Sequence, residues 1–383
     1  MAAGEEKRVR RKAPVAAIRV ASGEKAPEEK GVRRKTPVTT ALPLPHKPDG
    51  DVVSSTFRPR YLKDFIGQEQ LRNNLDIFIQ AANSRKEPLD HCLLYGPPGL
   101  GKTTLAQIIA VELGVRFKYT SGPALTRAGD LASILASLRE RDVLFIDEIH
   151  RLPPAVEEGL YAAMEDFQLP IILGKGPSAK IMTIPVKPFT LIGATTRFGM
   201  LSAPLRDRFG IIMRMDPYNE EELAQIIANA ASRLETTVEP AAAGRIAGRS
   251  RGIPRIALRN LKRIRDYLAY AGVSVVDVKL VDEAFSQLNI DKYGLLDIDR
   301  RLLAAIDEKF GGGPVGLDSL ASAISEDPDT VSVVIEPYLV QLNFIARTSQ
   351  GRVITDLGRR YLKGHDGVMG EGEEGLFGRL RRL

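Results

Sequence analysis

The sequence has one cysteine, Cys92, no tryptophan and only 6% aromatic residues among its 383 positions. A single cysteine cannot form a disulfide within the chain, and there is no CxxC zinc pattern, which is typical of a reducing interior. No apolar run approaches the ~18 residues that a membrane span needs. The first residues lack the apolar core of a secretory signal, and their acidic residues argue against a transit peptide. We therefore expect a cytoplasmic protein with no membrane association.

The composition is that of a soluble globular chain, with 44% hydrophobic and 27% charged residues, and it excludes a fibrous or wholly disordered protein. The length predicts two or three domains. Residues 1–50 hold 12 Lys and Arg against 6 Asp and Glu, and the other residues hold 42 of each. The net charge of +6 thus belongs to the N-terminal part, so nucleic-acid binding elsewhere has to rest on local clusters.

The N-terminal segment contains a duplicated, low-complexity stretch. EEKRVRRKAPV at 5–15 returns as EEKGVRRKTPV at 28–38, with too few large apolar residues to offset the entropy of ordering. We expect residues 1–53 to form a disordered basic tail, whose VRRK clusters either bind phosphate backbones or are simply solvated. The glycine-rich residues 364–383 predict a flexible C-terminal tail.

Apolar runs alternating with helical patterns predict an α/β domain at 54–216. HCLLYG at 91–96, VLFID at 143–147 and FTLIGAT at 189–195 are nearly continuous apolar runs, which is typical of parallel strands covered on both faces. Helical patterns alone follow at 217–292 and predict a small helical lid domain.

The C-terminal region has a different pattern. At 293–363, three helical patterns precede a hairpin pattern, FIARTSQGRVITDLG. Three helices and a hairpin in this length predict a winged-helix DNA-binding domain.

The first strand runs into GPPGLGKT at 96–103, which matches the phosphate-binding loop GxxxxGK[ST] in full. Its glycines let successive N–H groups face an anion at the start of a helix, Lys102 reaches the β- and γ-phosphates, and Thr103 offers a hydroxyl to Mg²⁺. Because the match lies between a predicted strand and a predicted helix, a chance glycine-rich turn is a poor explanation.

Two carboxylates, Asp147 and Glu148, follow the second strand. Phosphoryl transfer needs one group to hold the metal and another to orient the attacking water, so we assign Asp147 to the metal side and Glu148 to the base. The hydroxyls of GATTR at 193–197 and the arginine pair Arg206 and Arg208 are weaker indications. Threonines at strand ends and surface arginines are both common.

Four segments in this order, GPPGLGKTT, VLFIDEIHRL, IGATTRFGMLSAPLRDRFG and RGIPRIALRNLKRIRDY, resemble the AAA+ ATPases and, among them, the RuvB family of Holliday-junction motors. The resemblance covers about residues 54–362. It implies a homohexameric ring around double-stranded DNA at four-way junctions, with ATP and Mg²⁺ bound between subunits. It also implies recruitment by RuvA and work beside RuvC in a resolvase complex.

The resemblance further implies roles for individual residues. Phe57 and Arg58 would lie on the adenine side of the nucleotide, Tyr218 and Arg255 would complete the pocket from the lid, and Thr196 would take the sensor-1 position. The phosphate-binding residues are Gly99, Gly101, Lys102, Thr103 and Thr104.

A second set of implied residues begins with the arginine finger, which falls on Arg208, with Arg206 also at the subunit interface. This implication replaces the plain surface interpretation of the arginine pair. Nucleotide-contacting positions also fall on Glu165, Asp166 and Phe167.

Two further surfaces come from the resemblance. The stretch 168–188 is similar to a protruding hairpin that docks on RuvA, although its poor alternation does not separate surface from interior. Arg347 and Arg352 fall on DNA-contacting positions of the wing, where many relatives have Pro and Arg at Ser349 and Gln350. This wing therefore has one charge fewer, which predicts weaker DNA affinity, compensated in part by the basic tail.

Other ATPase classes fit less well. A protein-remodelling AAA+ ATPase typically has an aromatic-hydrophobic-Gly pore loop, which the sequence lacks, and a winged domain does not follow its lid. A clamp-loader-like ATPase also lacks the C-terminal wing, and the complete ATPase motifs argue against a DNA-binding regulator without activity. The sequence therefore favours an ATP-driven DNA motor.

Overall fold

The computed structural model describes residues 58–173 and 180–365. The predicted disordered tail at 1–53, Phe57, residues 174–179 and residues 366–383 lie outside these ranges. Within them, no helix has both the length and the apolar character that a membrane crossing demands.

A parallel sheet forms the centre of the α/β segment that precedes residue 217. The strands as far as residue 214 are β1 Cys92–Tyr95, β2 Phe117–Ser121, β3 Val143–Asp147, β4 Gln168–Leu173, β5 Lys180–Pro185, β6 Thr190–Thr195 and β7 Ile211–Arg214. Among the described residues, the sheet has five strands in the order β2-β3-β6-β1-β7, and every neighbouring pair is parallel.

The three central strands of this sheet are those that the apolar runs predict. The apolar runs do not predict β2 and β7, which form the two edges of the sheet. Each edge strand carries a basic residue, Lys118 or Arg214, and is only partly buried. An edge strand has one neighbour and more contact with solvent, so its sequence is not a continuous apolar run.

Helices cover both faces of the sheet. They are α1 Glu69–Arg85, α2 Lys102–Glu112, α3 Ala128–Ala136, α4 Pro154–Glu165 and the short α5 Ala203–Asp207. Leu105 of α2 packs with Leu94 in one buried cluster, and Leu131 of α3 packs with Leu144 in another. The α/β architecture expected from the sequence is confirmed.

Strands β4 and β5 form the predicted hairpin, which is antiparallel and runs in register from Gln168 opposite Pro185 to Leu173 opposite Lys180. Its base is anchored, because Leu169 is fully buried in the cluster of α3 and α4. Further out, Met182 is 45% exposed. The hairpin is thus fixed at its base and has an exposed apolar residue along its length.

The next segment consists mainly of helices, α6 Glu220–Arg233, α7 Pro240–Gly248, α8 Pro254–Ala271 and α9 Val278–Gln287. The expectation of helices alone was wrong in one detail: β8 Thr237–Val238 pairs in parallel with β9 Val275–Val276. Leu223 and Leu261 share a buried cluster with Leu94 of the sheet. This helical lid therefore packs on the same face as α2.

The C-terminal segment has its own buried core. Its elements are α10 Asp297–Ala304, α11 Leu317–Ile324, α12 Pro328–Thr330, α13 Glu336–Gln341, β10 Ile345–Thr348, β11 Gly351–Ile354 and α14 Asp356–His365. A π-helical turn, Val331–Ile335, joins α12 to α13, and β10 and β11 form the predicted antiparallel hairpin. Helix α14 was not predicted. It starts where Thr355 Oγ1 accepts the Gly358 N–H at 3.1 Å, an N-cap that ends the hairpin.

Candidate nucleotide-binding site

The phosphate loop connects β1 to α2 at the carboxyl edge of the sheet. Gly96, Gly99 and Gly101 have φ values of +143°, +86° and +103°, in the left-handed region that favours glycine. A Cβ on Gly99 would lie 2.8 Å from Ile253 Cγ2 and 3.1 Å from Arg255 Cβ. The loop is therefore pressed against the start of α8 in the lid, and only glycine fits there.

Lys102 points back into this loop. Its Nζ donates hydrogen bonds to the carbonyls of Gly96 and Pro97, both at 2.8 Å, and the residue is only 7% exposed. Burial lowers the pKa of Lys102 to about 8, while the carboxylates of Asp147 and Glu148 raise it. The loop thus holds a buried ammonium beside two carboxylates, at the position where a phosphate-binding loop receives its anion.

Asp147 ends β3 beside this ammonium. Its Oδ1 accepts the Glu148 N–H at 3.0 Å. Burial raises the pKa of Asp147, and Lys102 and Arg255 act in the opposite direction. The sheet therefore brings the predicted metal-side carboxylate to the phosphate loop, as parallel strands bring their carboxyl ends to one edge.

The carboxylate of Glu148 has two polar neighbours. Thr196 Oγ1 donates to Glu148 Oε2 at 3.3 Å, so the structure joins the predicted base to the predicted sensor-1 residue across 48 positions. His150 Nδ1 lies 3.2 Å from the same oxygen and 2.9 Å from Thr195 Oγ1. The sequence patterns predict no role for His150, although it stands two residues after Glu148 in the DEIH motif.

The lid and the N-terminal entrance also reach the loop. The Tyr218 hydroxyl donates to the Leu100 carbonyl at 3.1 Å, and burial raises its pKa, so Tyr218 supports the loop by a neutral hydrogen bond. The backbone N–H of Arg255 donates to the Gly99 carbonyl at 3.4 Å. Burial, followed by the nearby charge of Arg255, lowers the pKa of Arg58. Arg58, Tyr218 and Arg255 are therefore all brought to the predicted site.

The donor set fits Mg²⁺ that arrives with a triphosphate. In the described ranges, no group of three or more His, Cys, Asp or Glu could hold a metal by itself. Mg²⁺ needs no such group, because it keeps waters and takes one or two protein oxygens beside the phosphates. Asp147 offers a carboxylate at the loop, and Thr103 and Thr104, both half-buried, lie in the first turn of α2.

The other predicted nucleotide contacts form a separate cluster. Arg208 Nη2 lies 3.0 Å from Glu165 Oε2, Arg208 Nη1 donates to the Pro204 carbonyl at 2.8 Å, and its guanidinium lies over the Tyr161 ring, 4.5 Å from the centroid. Three more predicted residues lie nearby in the chain: Arg206 over the Phe198 ring, Asp166 at the end of α4, and Phe167 edge-on to Phe189. These contacts lie around α4 and α5, and among the described residues no hydrogen bond or ion pair joins this cluster to Lys102, whose hydrogen bonds go to Gly96 and Pro97.

Both predicted DNA-contacting arginines bind a buried carboxylate. Glu336, at the start of α13, is 1% exposed. Arg347 Nε lies 2.5 Å from its Oε1, and Arg352 reaches both oxygens at 3.0 and 3.1 Å. The Arg347 side chain is 55% exposed and that of Arg352 only 19%, so Arg347 is the more available of the two for a phosphate.

Comparison with known proteins agrees with this architecture. Three family models match in succession: the Holliday junction DNA helicase RuvB P-loop domain at 57–215, the RuvB AAA lid domain at 218–291, and the RuvB C-terminal winged helix domain at 292–363. Among solved structures, the Thermotoga maritima RuvB Holliday junction branch migration motor is 51% identical and covers 80% of this chain and 98% of its own, with a TM-score of 0.74.

Two point mutants of the Thermotoga protein match in the same way, at 51% and 50% identity, each with a TM-score of 0.74, and each covers 80% of this chain and 98% of its own. The family models together span most of the chain and follow the order of the phosphate-loop, lid and winged-helix segments. The chain therefore belongs to the RuvB family of AAA+ ATPases.

Proposed function

We propose that this chain is an ATP-dependent motor that drives branch migration of Holliday junctions in recombination and DNA repair, together with RuvA. The observation that carries the proposal is the single site in which Lys102, Asp147, Glu148 and Thr196 meet under a lid. A winged-helix segment in the same chain supplies the means to hold DNA. The domain limits 54–216, 217–292 and 293–363 are part of this proposal.

Each residue of the site has a role suited to its surroundings. Lys102 binds the β- and γ-phosphates, exchanging its two loop carbonyls for phosphate oxygens. Thr103 and Asp147 hold Mg²⁺, which neutralises charge on the phosphates when bound. Glu148 orients and deprotonates the attacking water, and Thr196 fixes the carboxylate that does so.

The remaining nucleotide contacts complete the pocket. Arg58, with Phe57, faces the adenine, and Tyr218 and Arg255 close the pocket from the lid. The phosphate cradle is formed by the loop and the first turn of α2, with Gly99, Gly101 and Thr104 beside the residues already named.

We assign the second cluster to the nucleotide of a neighbouring subunit. Arg208 acts as the arginine finger, with Arg206, Glu165, Asp166 and Phe167 at the same interface. Its support is that Arg208 is held by groups on α4 and α5. Its Nε is buried and makes no hydrogen bond to any described residue, so the guanidinium would gain a donor contact if the side chain turned toward a phosphate oxygen of another subunit. This arrangement requires a closed ring, for which a homohexamer is the family's form.

The wing binds the DNA backbone through Arg347 and Arg352. Contacts to phosphates carry no sequence information, which suits a motor that moves along any duplex. The hairpin at 168–188, with its exposed Met182, docks on RuvA, and RuvC joins the resolvase complex. A protein-remodelling or clamp-loader ATPase has no comparable use for the wing.

The ATPase rate with and without a four-way junction and RuvA tests this function. We expect stimulation by the two together, and movement of the junction that a strand-exchange gel can follow. A linear duplex of equal length is the control, as is Lys102→Ala, which removes the phosphate-binding ammonium. An ATPase rate that changes with neither the four-way junction nor RuvA would overturn the assignment.

A further inference from the structure

His150 is a buried histidine at the edge of the nucleotide site that the proposed mechanism does not use. Its side chain is 6% exposed, and it stands on the short 3-10 turn, Ile149–Arg151, that follows Glu148. One ring nitrogen, Nδ1, has two polar neighbours. Thr195 Oγ1 lies at 2.9 Å and Glu148 Oε2 at 3.2 Å.

The proton on this ring follows from its neighbours. Burial lowers the pKa of His150, while the charge of Glu148 raises it. If Nδ1 carried a lone pair, that lone pair would face the Glu148 carboxylate at 3.2 Å, which is repulsive. With the proton on Nδ1, the ring donates to Thr195 Oγ1 and places positive charge beside the carboxylate.

Thr195 holds the ring in place. The residue is fully buried, and its Oγ1 also accepts the Arg197 N–H at 2.9 Å. A hydroxyl oxygen has two lone pairs, so it accepts from Arg197 and from His150 together. The orientation of the ring is thus set by β6, the neighbour of β3, and Glu148 directly follows β3.

Glu148 itself needs such support. Its backbone is left-handed, with φ +49° and ψ +46°, a conformation that costs a non-glycine residue about 1–2 kcal/mol. Its Oε2 takes the contacts of both Thr196 and His150, and Oε1 takes neither. Oε2 is thus held from two sides. Because both oxygens belong to one planar carboxylate, holding Oε2 also fixes the direction of Oε1.

We propose that His150 is a positioning residue for the ATPase reaction: its ring, aligned by Thr195, keeps the positive edge at Nδ1 beside Glu148 Oε2, so that Oε1 is presented to the attacking water. This inference rests on the proposed function, in which Glu148 is the base. His150 touches neither nucleotide nor water in this role and acts only through Glu148. Its loss should therefore slow the chemical step and leave ATP binding unchanged.

The test compares His150→Ala and His150→Asn in the full-length chain with a saturating four-way junction and RuvA. Misplacement of a catalytic group by about 1 Å costs about 100-fold in rate, so we expect kcat of His150→Ala to fall between about 10-fold and 100-fold. The KM for ATP and the equilibrium dissociation constant of a fluorescent ATP analogue should change by less than about twofold. His150→Asn places an amide N–H near the position of Nδ1 and should restore kcat to within about fivefold of the unsubstituted protein.

His91 provides a matched control for a purely structural effect. It is also a largely buried histidine on this sheet, but it precedes β1, at the opposite edge. Its Nδ1 accepts the Leu191 N–H at 2.9 Å, and Nε2 lies 3.2 Å from the Met164 carbonyl. We expect His91→Ala to lower the melting temperature and to leave kcat per folded molecule unchanged.

Three outcomes for kcat would overturn the inference: an unchanged kcat in His150→Ala, an equal loss of kcat in His91→Ala, or a His150→Asn variant no faster than His150→Ala. A loss of ATP affinity equal to the loss of kcat would also overturn it, since a positioning residue for the base does not hold the nucleotide. If the unsubstituted chain itself hydrolyses no ATP with junction and RuvA present, the proposed function fails instead. The two failures are therefore distinguishable.

Discussion

Arg251 and Asp299 form a buried ion pair that joins the lid to the winged-helix segment, with Nη2 and Oδ2 2.5 Å apart. The two side chains are 9% and 1% exposed. Asp299 Oδ2 also accepts the Leu296 N–H at 2.7 Å and so caps α10, while Arg251 Nε donates to the Gly294 carbonyl at 2.9 Å. Arg255, four residues later, borders the phosphate loop, so one short segment touches both the nucleotide site and the start of the winged-helix segment.

Removing one partner of this pair should be costly. Asp299→Ala leaves the Arg251 guanidinium buried without its carboxylate and uncaps α10. We expect a loss of about 3–5 kcal/mol in the free energy of opening α10, measured by hydrogen exchange of its amides. Arg263→Ala removes an exposed pair, with side chains 63% and 57% exposed, and should cost less than about 1 kcal/mol. Equal losses in the two variants would contradict the role given to burial.

ATP binding should weaken at alkaline pH. Burial lowers the pKa of Lys102 to about 8 in the free protein, so the ammonium that binds phosphate is present below pH 8 and is lost above it. The ATP dissociation constant should be level below pH 8 and rise by up to about tenfold per pH unit above it. Isothermal titration calorimetry from pH 7 to 9.5 measures this. Whatever affinity Lys102→Arg retains should not change over this range, because a guanidinium stays charged.

Arg208→Ala should bind ATP and hydrolyse it poorly. An arginine finger contributes about 10³–10⁵ to the rate, and the loss should appear in kcat. Arg85→Ala, which removes an exposed arginine paired with Glu87, is the matched control and should keep the normal rate.

Mixing tests whether Arg208 acts in trans. Arg208→Ala subunits retain an intact phosphate loop, and Lys102→Ala subunits retain the arginine, so mixed rings should recover part of the ATPase rate. No recovery at any mixing ratio would count against action across a subunit interface.

The salt dependence of DNA binding should show how many arginines of the wing contact phosphates. Each phosphate contact adds about 0.9 to the slope of log affinity against log salt. Arg347→Ala should lower the slope by about one contact on any duplex sequence. Arg352→Ala should have a smaller effect on the slope, because its side chain is 19% exposed and held by both Glu336 oxygens.

The basic tail can be tested in the same assay. If residues 1–53 compensate for the missing charge at Gln350, their deletion should reduce duplex affinity and the salt slope together. An unchanged slope would reject compensation. Replacing the VRRK clusters alone distinguishes their charges from the rest of the tail.

Much of the site could be predicted because its residues are adjacent in the chain. The loop from Gly96 to Thr103 is one continuous segment, and the spacing of its glycines and its lysine predicts a phosphate-binding conformation. Asp147 and Glu148 come at the end of an apolar run that predicts a buried strand. The sensor-1 position of Thr196 was implied only through family resemblance, and its contact with Glu148 was not predicted. The His150 network was missed, since a histidine two residues after a carboxylate says nothing about the threonine across the sheet.

Two kinds of feature could not be predicted from the sequence: the edge strands of the sheet and the carboxylates with which the arginines pair. Strands β2 and β7 have mixed polarity because each has one neighbour, which depends on the order of strands in the sheet. Arg208 meets Glu165, 43 residues away, and Arg352 meets Glu336 inside a core. A charge count treats these arginines as free, whereas their pairing with these carboxylates decides how much of the charge remains available.

The amino-acid sequence by itself determined the chemistry that can occur: a loop of glycines before Lys102 binds phosphate wherever it is placed between a strand and a helix, since the required amides are local. Only the tertiary structure decided which side chains share a carboxylate. Thr196 meets Glu148, and Thr195 meets His150, because β3 and β6 are distant in sequence but neighbours in the sheet. Hydrogen bonds form by distance in space, not by separation along the chain.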